Sequence, residues 1–416
     1  MTRRILCPAS EASATARQVP RKPGFTSISR ASYSSSSSSS SSISDEEVVD
    51  IPEVFNSRET LEFCGLNSEV SALIFDSWER LQQTPGELGY GNDIITEAKH
   101  FVRAMGERED AWLPEHDWRR ALVGMGATQR LCDAILDSAF AHLRKTQSAS
   151  YWVLDTIDIS WEFLEGLDKR IRKKRDETRD LVTPSPSIQP GLLGTYRGPS
   201  VLRTATIDAV PSSVEGRTML FKGGAMAGLV SVFNDDGSLN LARLWSRNPT
   251  DFHRCKDVLL YFTKHVDVAE IYADYTMRRV SPEEGVVLHF AVPSELLEDH
   301  REIFDPEWQQ LVFWSRGPAS FDRLSVPPHL TQFTDAPLLI GCIYGMPNKA
   351  VARLDRSSDL TGQYMKTRNG GNATQYVFQT EAIQIQLQNQ CRGWVWYQSM
   401  RYARDFAMRF LPPDEA

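Results

Sequence analysis

Beyond residue 55 the apolar positions of this chain recur at helical spacing. After Thr128, a candidate N-cap, Leu131, Ile135, Ala139, His142 and Leu143 fall on one face and predict an amphipathic helix. Trp152, Ile157, Trp161, Leu164, Leu167 and Ile171 repeat in the same way, predicting a long helix over residues 151–175 whose aromatic rings face a core. With similar patterns over 70–81 and 94–105, residues 51–182 form a helical domain of about five helices without an internal repeat. Pro184, Pro186, Pro190, Gly191 and Gly194 then break every periodicity and mark 183–199 as a linker.

After the linker the pattern changes period. Residues 218–221, 258–262, 286–292, 338–344 and 383–387 are short, apolar and often β-branched, which predicts strands. Between the second and third of them, residues 266–279 place Val268, Ile271, Tyr272 and Tyr275 on one stripe and Glu270, Asp274 and Arg278 on the other, as a helix does. The fold class expected is therefore α+β, with an N-terminal helical domain followed by a mixed-sheet domain over 200–416. Two domains and a tail also suit the 416 residues, since single cores stop growing near roughly 250–300 residues.

The first 50 residues behave differently. Over residues 1–44, Arg3, Arg4, Arg17, Arg21, Lys22 and Arg30 face the single acid Glu11, and unbroken serines run from 34 to 42. Such a segment buries too little apolar surface to offset its ordering entropy, so a disordered tail is expected. The same Arg-rich, Ser-rich composition also fits a mitochondrial transit peptide. Similarly, Lys169, Arg170, Arg172, Lys173, Lys174 and Arg175 fit either a solvated helix end, where cations suit the dipole, or a nuclear-localisation patch.

Charge and cysteine usage narrow the partners. A net charge of −8 opposes nonspecific nucleic-acid binding, which needs a basic field. Six dispersed cysteines without a CxxC pair fit a reducing, intracellular home, with the cytoplasm expected. No stretch reaches the roughly 20 apolar residues of a membrane span. His253 with Cys255 is two ligands short of a metal site, so no metal is expected. Gly223 with Gly224 lacks the lysine and hydroxyl residue of a P-loop, and no GxSxG elbow is present.

One constellation remains. In YVFQTEAIQIQ, over 376–386, Gln379 and Glu381 stand two residues apart, and strand alternation would aim both to one face. Together with TMLFKGG (218–224), LLYFTKHVDVAEIYADYTMRR (259–279), FDPEWQQLVFWSR (304–316) and LLIGCIYGMPNKA (338–350), it resembles a bacterial and fungal branch of the ADP-ribosyltransferase superfamily over residues 217–396. That resemblance implies NAD as substrate. It makes Glu381 the catalytic carboxylate that stabilises an oxocarbenium-like state and Gln379 the residue that orients the acceptor. It also makes Lys222 and Gly223 a dinucleotide contact, and Tyr261 and Thr263 the aromatic and hydroxyl residues beside the nicotinamide.

The enzyme implied is an ADP-ribosyltransferase or NAD glycohydrolase acting on a protein or small-molecule acceptor. Lys222 stands where that branch carries histidine, and Leu259 and Leu260 where it carries glycines. These departures keep a second reading open, a catalytically degenerate binding or regulatory protein on the same fold. A third is an accessory protein of a specialised-metabolite pathway, because fold alone does not fix function.

Overall fold

The structure, a computed structural model, describes residues 4–5, 22–29, 48–83, 92–182 and 210–400, apart from 235, 247–249, 255–257, 281, 283, 318–324 and 361. Over 174–182 and at 29 and 230 it describes the backbone alone. The serine run and the linker 183–199 lie outside these residues. The chain is a mixed α/β protein of two compact units that interleave in sequence. The first comprises Met1–Glu109, Leu122–Leu131 and Val153–Pro199, the second Asp110–Ala121, Cys132–Trp152 and Ser200–Ala416. Residues 110–121 and 132–152, which periodicity groups with the helices, thus belong to the second unit.

In the first unit, strand β1 (Phe25–Ser29) pairs antiparallel with β2 (Val48–Pro52). Order therefore reaches into the tail, because Phe25, Ile28 and Ile51 find a core in which all three are buried. Helices α1 (Arg58–Phe63), α2 (Ser68–Gln83) and α3 (Ile94–Arg108) follow, α1 being started by the Ser57 side chain, which accepts from the Thr60 amide. The next helices, α4 (Trp118–Gly124) and α5 (Gln129–Ile135), each have residues in both units, and the residues from there to Trp152 belong to the second. The helix expected to run on to Leu143 stops at Ile135. The Asp137 carboxylate accepts from the Ala139 amide and starts a 3-10 turn before α6 (Ala141–Arg144), a local hydrogen bond that competes with helix continuation. The long α7 (Ala149–Val182) exceeds the expected 151–175. Its Ile157, Leu164 and Leu167 are buried in the first unit, and Trp161 packs edge-on to Phe55 with ring centroids 5.1 Å apart.

The second unit is built on a seven-stranded sheet. Its strands are β3 (Arg217–Ala225), β4 (Leu260–Thr263), β5 (Gly285–Pro293), β6 (His300–Ile303), β7 (Leu338–Cys342), β8 (Thr374–Phe378) and β9 (Val395–Met400). They lie in the order β6-β7-β8-β4-β3-β5-β9, with β6 and β7 parallel and every other pair antiparallel. The short helix α8 (Met226–Leu229) ends β3, α9 (Val266–Arg279) follows β4, and α10 (Glu307–Arg316) follows β6. Two further short helices, α11 (Thr331–Thr334) and α12 (Asn348–Val351), precede α13 (Glu381–Gln390).

Both faces of the sheet are covered. One carries Leu220, Leu260, Phe262, Leu288, Phe290, Leu338 and Phe378. On the other, α9 packs over β3 and β5, and α10 over β4, β7 and β8 through Trp308, Leu311 and Val312. Gly223 is required for that close approach, since a Cβ there would stand 1.7 Å from the Ala269 carbonyl oxygen of α9.

Residues 383–387, expected as a strand, are helical. The Thr380 hydroxyl caps α13 by accepting from the Ile383 amide, and Glu381 stands in the first turn, where a carboxylate suits the dipole. IQIQLQ has the alternation of a strand, yet Ile383 and Leu387 are buried at helical spacing while Ile385 is 52% exposed. The strand of this segment lies earlier, over β8.

Candidate functional site

The residues implied in dinucleotide contact come from the two central strands. β3 runs fully paired with β5 but meets β4 at one register pair, Phe221 opposite Thr263. Beyond that pair the Lys222 side chain bridges the strands, its Nζ donating to the Tyr261 carbonyl at 3.1 Å. No other hydrogen bond or ion pair of Lys222 occurs among the described residues. Desolvation lowers the Lys222 ammonium from its ordinary 10.5 to about 8.

Side-chain direction divides the set. Alternation along β3 sends Lys222 to the face of Leu220, opposite its register partner Leu288, whereas Phe221 and Gly223 lie beneath α9. Alternation along β4 sends Tyr261 and Thr263 to the face of α10, where Tyr261 packs with Val377 and Phe252. The structure therefore brings Lys222 beside the Tyr261 backbone but aims the two side chains to opposite faces. Burial, then the Asp251 charge, raises the Tyr261 phenol well above its ordinary value and keeps it neutral.

Thr263 leads to residues that sequence reasoning missed. Its hydroxyl donates to the Thr374 carbonyl at 2.8 Å, and its register partner is Gln375. Gln375 Nε2 donates to Asp251 Oδ2 at 2.7 Å and to the Cys342 carbonyl at 3.2 Å. The same Asp251 oxygen accepts the Tyr344 amide at 3.0 Å, and Asp251 Oδ1 pairs with Arg316 Nη2 at 2.6 Å. Arg316 also donates to the Met346 carbonyl, and its guanidinium lies over the Tyr344 ring. This buried pair joins the loop at 250–254, the end of α10, the end of β7 and the start of β8. Asp251 and Arg316 lie 65 positions apart in sequence without a shared motif, so no local signal pairs them.

Gln379 and Glu381 are not on one face of a strand. Gln379 follows β8 directly and has no exposed surface, its Nε2 donating to the Phe333 carbonyl at 2.6 Å and the Ala336 carbonyl at 3.1 Å. Its amide therefore closes the loop around α11. Glu381 is the first residue of α13 and is exposed. The expectation of a shared face fails because the Thr380 cap converts the backbone from extended to helical between the two.

Among the described residues no group of three histidine, cysteine or acidic side chains is placed to hold a metal ion, and no helix is long and apolar enough to cross a membrane. The chain matches no family model, no curated protein and no solved structure.

Proposed function

We propose that the second unit is a binding or regulatory module on an ADP-ribosyltransferase-like sheet, rather than a catalyst of NAD cleavage through Glu381. The observation that carries this reading is the state of Gln379. An acceptor-orienting side chain has to offer polar atoms to a substrate, and this one is fully buried with its amide bonded to two backbone carbonyls. Lys222 and Tyr261, the cation and the ring that would share one dinucleotide, face opposite sides of the sheet. A transition state is stabilised by groups converging on the developing charge, and these four side chains do not converge.

Transferase or glycohydrolase chemistry is the second reading, and one observation favours it. Glu381 is an exposed carboxylate with no hydrogen bond or ion pair among the described residues, immediately after the strand that pairs with β4.

Incubating the full chain with NAD, and measuring heat of binding and nicotinamide release, separates the two. The module reading expects release at the uncatalysed rate, equal in wild type and Glu381→Ala. Release that falls by about 10²-fold or more in Glu381→Ala, with folding intact, would overturn it in favour of the enzyme.

A further inference from the structure

Lys222 has no role in the module just described, and its surroundings are those of a reactive amine. On β3 it stands between Leu220 and Gly224, across from Leu288 and beside Phe262, and those three apolar neighbours are buried. An ammonium on such a floor normally has a carboxylate partner, because an uncompensated buried charge is costly. Here the protein supplies a neutral carbonyl alone, that of Tyr261 at 3.1 Å, so two of the three ammonium protons have no acceptor among the described residues. The residue as a whole is half-buried, and trapping by a small reagent tests whether its amine shares the exposed part.

We propose that Lys222 is a nucleophilic amine that forms an imine with a small aldehyde-bearing ligand. The neutral Nζ lone pair attacks the carbonyl carbon, a C–N bond forms, and the carbinolamine loses its oxygen as water, with no change of oxidation state. The proposal is independent of NAD binding and cleavage. Two features support it: desolvation of a lysine is a recognised means of exposing its free base, and bonding to the Tyr261 carbonyl holds the nitrogen at a fixed point between the strands. Lowering the ammonium to about 8 raises its neutral fraction at neutral pH about 10²-fold over that of an ordinary lysine.

The full chain, treated with pyridoxal 5′-phosphate across pH 6.5–9.5, reduced with borohydride and mapped by mass spectrometry, tests this. Lys222 is expected to be trapped at least about tenfold faster at pH 7.5 than exposed Lys264 or ion-paired Lys349, with a rate midpoint near 8. Lys222→Arg is expected to lose that adduct alone. Labelling of Lys222 no faster than Lys264 in the wild-type map would overturn the proposal, and that reading does not depend on whether the variant folds.

Discussion

Replacing Lys222 by methionine tests the energetic premise of the reactive-amine proposal. Lowering the ammonium from 10.5 to about 8 means the folded state disfavours the charged form by roughly 3 kcal/mol, at about 1.4 kcal/mol per tenfold change. Below pH 8 both the folded and unfolded chains bind the proton, so the full penalty is present. Between 8 and 10.5 the unfolded chain holds the proton and the folded one does not, so wild-type stability rises with pH across that window. Methionine removes the penalty but leaves the Tyr261 carbonyl without its donor, a loss of about 1–2 kcal/mol. Lys222→Met is therefore expected to be about 1–2 kcal/mol more stable than wild type at pH 7. Relative to wild type, that advantage should decline by about 3 kcal/mol by pH 10.5. Urea unfolding of both proteins at the two pH values, followed by a probe in the second unit, measures the difference, and titrations common to both cancel. An advantage that is the same at pH 7 and pH 10.5 would refute the reasoning, since it would show that the lysine is not held charged against the fold.

Three further outcomes follow from the same geometry. Gln379→Leu leaves the Phe333 and Ala336 carbonyls unpaired and is expected to destabilise the second unit by about 2–3 kcal/mol in a urea melt, where an active-site role alone would leave stability unchanged. Arg316→Met strands the Asp251 carboxylate and should cost about 3–5 kcal/mol, with much of the loss recovered when Asp251→Leu is added; additive losses in that double-mutant cycle would deny the pairing. Gly223→Ala forces α9 away from β3 and should lower the thermal midpoint by more than about 5 °C, whereas Gly216→Ala, with nothing within 4 Å but a φ of +68°, should cost only the conformational strain of about 1 kcal/mol.

Much of the fold was legible because the residues that build it signal locally. The strands at 218–221, 258–262, 286–292 and 338–344, and the helix over 266–279, were recovered from period and β-branching, and Val266–Arg279 matches to the residue. The strands at β6, β8 and β9 were not read. TQYVF and VWYQSM are short and mixed, and their register partners, rather than their own composition, make them strands. The error at 383–387 has the opposite origin. A period-two pattern over six residues also satisfies two helical positions, and the capping hydroxyl of Thr380 decides between them.

The candidate site was legible only in part. Adjacent positions on one strand, such as Lys222 and Gly223, could be singled out from sequence, but the faces to which Lys222 and Tyr261 point depend on the register of three strands. Asp251, Arg316, Gln375 and Tyr344 carry no common spacing, so their convergence is visible only once the sheet is assembled.

By itself, then, the sequence determined the alternation of helical and strand-forming segments, the basic serine-rich beginning and the negative charge, all of which are properties of neighbouring residues. The tertiary structure decided the rest. It interleaved the two units, drew Phe25–Ser29 into a strand, and committed Gln379 to backbone carbonyls. It also left Lys222 without a counter-ion among the described residues, because partners and burial arise between residues that are distant in the chain.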